Sequence, residues 1–139
     1  MAAAHHEKQQ QQKGYCTNKG ITPDERKLLS AIRAMPGLYI GSKSLVSLRH
    51  FIGGYSSAMH LLGITAEHRI IPQEFQPFVA GKYGIFTETQ KNYFTLILEN
   101  SPDEQQAFDL FFSLLDQYLS SVGADPVPMW NPSTNSLPK

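Results

Sequence analysis

The chain is nearly devoid of cysteine: Cys16 is the single thiol in 139 residues, so no intramolecular disulfide can staple the fold, and a reducing compartment suits it. Cys16 also falls in a stretch expected to be loose, which argues against a catalytic thiol. No apolar run reaches 18 residues, so no membrane span is expected. The N-terminus is rich in Ala, His and Gln and has no apolar segment of the signal-peptide kind, so the expected location is the cytoplasm. Net charge is absent too: 12 Lys and Arg balance 12 Asp and Glu. That removes the simplest argument for nucleic-acid binding. No histidine lies beside an acidic residue in the helix that carries His50, Ser57 and His60, so a Ser-His-acid site has little support. The adjacent His5 and His6 sit in a polar tail and read as incidental. No catalytic residue, metal or cofactor is expected on these grounds.

What is present is charge asymmetry and helical periodicity. Residues 1–70 hold nine Lys/Arg against four Asp/Glu, and residues 71–139 hold three against eight. An acidic surface in the second half would suit a basic partner. Met1 to about Gly20, with its Gln9–Gln12 run, has too little apolar surface to offset ordering entropy and reads as a disordered tail over residues 1–20. One helical domain is expected over residues 21–123, large enough for one core. Residues 124–139, with Pro126, Pro128 and Pro132, read as a mobile tail in which Met129-Trp130 either folds back or anchors a partner.

Within the domain, Thr22-Pro23-Asp24-Glu25 is a helix start, with Thr22 as cap, Pro23 in first position and Glu25 returning a bond. Leu28, Leu29, Ile32 and Met35 follow at helical spacing, and Pro36 ends the run. A second helix is expected from Leu45 to Leu62, stopped by Gly63, with Leu45, Leu48, Phe51, Ile52, Tyr55, Met59 and Leu62 as its stripe. Gly53 and Gly54 sit in its middle, where each costs about 1 kcal/mol against alanine, and close helix packing is the expected offset. Phe75, Phe78 and Val79 suggest a short helix. Tyr93 to Leu98 reads as helix or buried strand, and a cap at Thr87–Gln90 favours helix. Ser101-Pro102-Asp103-Glu104 opens the longest helix, whose stripe runs through Ala107, Leu110, Phe111, Leu114, Leu115, Tyr118, Leu119 and Val122 to Gly123. The expected fold is therefore all-α: a compact bundle of four to five helices with at most one short hairpin between Tyr83 and Leu98.

The stretch from Arg33 to Tyr55 sets the frame. Pro36-Gly37 is a turn signal in which Gly37 takes a positive φ, Leu38-Tyr39-Ile40 is an apolar knot too short for a helical turn of its own, Gly41 permits a change of direction, and Ser42 or Ser44 caps the next helix. This segment, Met35-Pro36-Gly37-Leu38-Tyr39-Ile40-Gly41 followed by Ser44-Leu45, Leu48, Phe51-Ile52 and Gly54-Tyr55, resembles a family of small bacterial proteins with an RPGMYIG…SL..L..F..GY signature. Phe75-Gln76, Phe78-Val79, Lys82-Tyr83, Ala107-Phe108-Asp109 and Phe111-Phe112 extend the resemblance over about residues 22 to 120. The order Met35-Pro36 departs from the usual Arg-Pro-Gly-Met, so no role passes to Arg33. Some proteins of that kind resemble immunity proteins of polymorphic or contact-dependent toxins. The resemblance implies a non-catalytic intracellular protein that binds and neutralises a toxin, such as one of nuclease type, with Pro36, Gly37, Tyr39, Gly41, Gly53, Gly54 and Tyr55 as structural motif. The candidate partner-binding residues are Asp103, Glu104, Asp109, Asp116 and Trp130. Pro-Gly-x-Tyr-Ile-Gly also looks like a piece of the gyrase-type ATPases, but the Asp-x-Gly-x-Gly loop they need is missing. Two other readings stay open: a small enzyme using His50 or His60 with Glu67 or Glu74, and a nucleic-acid-associated protein using Arg26, Lys27, Arg33 and Arg49.

Overall fold

The computed structural model describes residues 20–64, 69–87 and 90–130. It is all-α: six helices and no strand among the described residues. They are α1 (Pro23–Ala34), α2 (Pro36–Ile40), α3 (Leu45–Leu61), α4 (Phe75–Lys82), α5 (Tyr93–Glu99) and α6 (Glu104–Ser121). Tyr93 to Leu98 is helix, and no strand occurs among the described residues between Tyr83 and Leu98, where a hairpin was allowed for. The tails expected to be disordered fall largely outside the described residues.

Local chemistry accounts for each start. Pro23 opens α1 at a position whose N–H would be unpaired anyway. Thr22 caps differently from the expected box: its hydroxyl donates to the side chain of Glu25 and accepts from Arg69 N–H at 3.1 Å, while Thr22 N–H donates to Arg69 O at 3.2 Å. Thr22 thus ties α1 to the segment before α4. Asn92 caps α5 by accepting from Thr95 N–H at 3.0 Å, in place of the expected cap at Thr87–Gln90, of which Glu88 and Thr89 lie outside the described residues. The longest helix starts later than expected. Asp103, not Ser101, is its cap and accepts from Gln106 N–H at 2.7 Å, whereas Ser101 Oγ turns back to Ile97 O at 2.7 Å.

The Pro36 region corrects two expectations. Met35 leaves the helical region at φ −135°, as a residue before proline should. Pro36–Ile40 then forms a helical turn of its own, because proline is preset for the first helical position. Gly37 is inside that turn and has no positive φ; Gly41, at φ 87°, makes the change of direction. Ser44 caps α3, its Oγ accepting from Val46 N–H at 3.1 Å and Ser47 N–H at 3.3 Å.

The core forms around α6, which packs on α3, α4 and α5. Phe75, Phe108, Phe111 and Phe112 are all fully buried. Phe111 stacks on Phe94 at 5.6 Å and meets Phe75 and Phe112 edge-on at 5.7 and 5.2 Å. Such pairs add about 0.5–1.5 kcal/mol each beyond the area they bury.

The glycine pair of α3 corrects the packing expectation. Gly53 and Gly54 are exposed, and a Cβ on either would meet nothing within 4 Å. No helix crosses there, so overpacking by a side chain at Gly54 is not expected. The segment after α6 also departs from a loose tail. Over residues 124–130 it lies along α1, with Val127 buried in the core cluster.

Candidate functional site

Of the motif residues, Leu38 and Tyr39 are turned outward. Leu38 is 73% and Tyr39 40% exposed, and α2 buries no side chain at all. The short helix, bounded by Pro36 and Gly41, thus presents an apolar pair to solvent while Ile40 packs on the core.

The linker after α2 is fastened to the start of α6. Ser44 Oγ donates to Glu104 Oε2 at 2.7 Å, and Lys43 Nζ pairs with Asp109 Oδ2 at 2.8 Å. Asp103 caps the same helix end. Three of the acids expected to contact a partner, Asp103, Glu104 and Asp109, therefore gather beside the linker that follows Leu38-Tyr39. All three are exposed. The Lys43–Asp109 pair is also open to water, with Asp109 63% exposed, so it adds at most about 1 kcal/mol and leaves the carboxylate accessible.

Asp116 and Trp130 are elsewhere. Asp116 Oδ2 takes a hydrogen bond and salt bridge from Arg33 Nη1 at 2.8 Å, and Asp116 Oδ1 accepts from Val127 N–H at 2.9 Å. Arg33 Nη1 also reaches Val127 O at 2.6 Å, with its guanidinium over the Phe112 ring at 5.2 Å. Arg26 Nη2 donates to Pro126 O at 2.8 Å and Ser30 Oγ to Pro128 O at 2.6 Å. Asp116 is thus the keystone of a strap, not a free surface acid. Proline carbonyls remain good acceptors although proline cannot donate, which is why a Pro-rich segment can be held by donors from α1. Trp130 is half-buried, and its Nε1 is buried with no hydrogen-bond partner.

Tyr55, a motif residue, donates from its hydroxyl to the carboxylate of Glu25, which is 1% exposed. Burial first, and the hydrogen bond to Glu25 second, push the Tyr55 hydroxyl well above its ordinary range. Glu25 read from sequence as a capping residue only; a carboxylate at a helix start gives no sign that a tyrosine 30 residues later will close over it.

The histidines do not assemble a site. His50 and His60 are both exposed and lie ten residues apart on α3, about 15 Å along the axis. Of the acids that might serve them, Glu74 is exposed and Glu67 lies outside the described residues. No group of three or more His, Cys, Asp or Glu with metal-holding geometry occurs among the described residues. The basic residues do not form one free patch either, since Arg26 and Arg33 are taken up by the strap. No described helix is long and apolar enough to cross a membrane.

Sequence reasoning missed the concave surface over Gly53-Gly54. A cavity of about 490 Å³ lies there between α3 and the start of α5, lined by Arg49, His50, Asn92 and Tyr93 among others. A larger one, about 720 Å³, opens between α4 and Ile85-Phe86, where Phe86 is 86% exposed. The only early sign of the first was the helix-weakening glycine pair itself. Comparison with protein-family models, with curated proteins and with solved structures finds no significant match to this chain.

Proposed function

We propose that this chain is a non-catalytic binding protein that neutralises a protein toxin in the cytoplasm, docking it through the α2 knob and the acidic end of α6. The supporting observation is that the Ser44–Glu104 and Lys43–Asp109 contacts fasten the start of α6, with exposed Asp103, Glu104 and Asp109, to the short linker that follows exposed Leu38 and Tyr39. An aromatic or aliphatic anchor with a charged rim is the usual make-up of a binding patch. Acids on that rim suit a basic toxin surface of the kind a nuclease needs for phosphate, and opposite charge speeds encounter. The immunity-type role comes from the resemblance carried by the Pro36–Gly41 segment. Asp116 drops out of the contact set because the strap uses it.

The test is protection of cells expressing the toxin encoded by the neighbouring reading frame. The unaltered chain should protect. Leu38→Asp with Tyr39→Ala should abolish protection, and Asp109→Lys should slow association, both with an unchanged circular dichroism spectrum. Full protection by the Leu38/Tyr39 variant would remove α2 from the interface, and absence of protection by the unaltered chain would end the immunity reading.

A further inference from the structure

The cavity over Gly53-Gly54 adjoins a second one of about 200 Å³, lined by Met59, Arg69, Ile70 and Ile71. The two share Ile52, Ser56 and Tyr93 and so form one groove along α3. From Arg49 to Met59 it runs about 15 Å along the helix, at 1.5 Å per residue. Its middle is apolar and aromatic, and each end carries an arginine.

Three observations point to a ligand. First, Arg69 Nε is buried and has no hydrogen-bond partner. The Arg69 backbone is engaged with Thr22, but Nε of its side chain, a donor that cannot accept, is left without an acceptor. Second, each cavity is lined by an arginine and neither by a carboxylate among the described residues. Third, the glycine pair weakens α3 and gains nothing inside the protein, since a Cβ at either position would touch no atom within 4 Å. What the missing side chains do provide is open space above the helix backbone, in the groove itself.

We propose that this groove binds a small amphipathic organic anion, a carboxylate or phosphate on an apolar body. Its acidic group sits against Arg69, and its body crosses Ile52 and Tyr93 toward Gly53-Gly54, with Arg49 as a second positive group at the far end. The size falls in the range of small-molecule sites, and a few convergent polar groups in an apolar surround are what such sites need. A guanidinium can grip either acid bidentately. The groove involves none of Leu38, Tyr39, Asp103, Glu104 or Asp109, so this site stands or falls apart from the toxin-docking face.

The experiment is titration of the full chain with octanoate, octyl phosphate and octanol, followed by amide NMR and calorimetry. At least one anion should bind saturably at one site, shifting the amides of Gly53, Gly54 and Tyr93, with octanol at least tenfold weaker. The preferred anion tells carboxylate from phosphate. Arg69→Met should weaken the anion at least tenfold, since its backbone bonds to Thr22 survive. Gly54→Leu should raise the melting temperature and abolish binding, a combination that a merely structural glycine would not give, and it keeps the test alive if the Arg69 variant folds poorly. No saturable anion binding, equal binding of octanol, or binding unaffected by Gly54→Leu would overturn the proposal.

Discussion

Helices α6 and α3 are nearly equal in length, 18 and 17 residues, yet α6 buries eight side chains and α3 only three: Leu45, Leu48 and Ile52. Both carry an apolar stripe in sequence. In α6 the stripe meets partners along its whole run, because α3, α4 and α5 all pack on it. In α3 burial stops at Ile52, just before the glycine pair; Tyr55 and Met59 are half-buried, and Leu61 and Leu62 are 84% and 68% exposed. The difference teaches that an amphipathic pattern tells which face of a helix is apolar, not how far along the helix a partner extends. The first half of α3 belongs to the core, and its second half is mostly surface, apart from half-buried Tyr55 and Met59, as is α2 apart from Ile40.

The sharpest way to break that division is truncation on either side of it. Phe111→Ala removes a fully buried ring that contacts Phe75, Phe94 and Phe112, and should cost about 3–5 kcal/mol in chemical denaturation. Leu61→Ala, on the exposed end of α3, should stay within about 0.5 kcal/mol. Similar losses at both positions would erase the contrast.

Alkali should strike the α6 core next. Burial first, then the charge of Glu74, push the Tyr118 hydroxyl to about 12. The fold favours the neutral form, so the unfolded chain loses this proton first as pH rises. The Tyr118 contribution is therefore complete below the unfolded value of about 10 and disappears as pH climbs through about 12, a loss on the order of 1 kcal/mol. Denaturant midpoints between pH 9 and 12 measure it. Tyr118→Phe should flatten that decline, and an unaltered decline would assign it to other groups, Tyr93 among them, whose hydroxyl burial also raises.

Two acids of α6 sharpen the comparison further. Asp116→Ala leaves Arg33 and the Val127 N–H without their acceptor and should cost about 1–3 kcal/mol, with faster amide exchange over residues 124–130. Asp109→Ala breaks an exposed pair and should cost at most about 1 kcal/mol. Equal effects would mean that the strap is not held by Asp116.

Much of the helical architecture was legible. The proline and glycine punctuation, the period-3.6 stripes and the acidic helix starts place five of the six helices, α5 among them and α2 excepted, near where they lie. What was not legible depends on contacts distant in sequence. Asp116 looked like a partner contact because nothing near it announces Arg33, 83 residues away, or Val127 in a proline-rich stretch. The Pro36 turn looked too short for a helix because Leu38-Tyr39-Ile40 was read as an apolar knot with no room for a helical turn; proline presets that turn, with Leu38 and Tyr39 outward and Ile40 against the core. Of the five candidate contact residues, three gather at one end, and their attachment to the linker after α2 follows from two side-chain contacts no local pattern encodes. Arg69 drew no attention from sequence, since an arginine in a connector is ordinary until its Nε is found buried without a partner.

The account rests on the second half of α3 being surface, opened at Gly53 and Gly54 rather than packed there. Equilibrium denaturation of Gly53→Ala, Gly54→Ala and the double variant tests this most directly. With nothing within 4 Å of either Cβ, each alanine should raise stability by about 1 kcal/mol through helix propensity alone, and the two should add. A lowered midpoint in either single variant would place a packed neighbour at the glycines and contradict the division between core and surface.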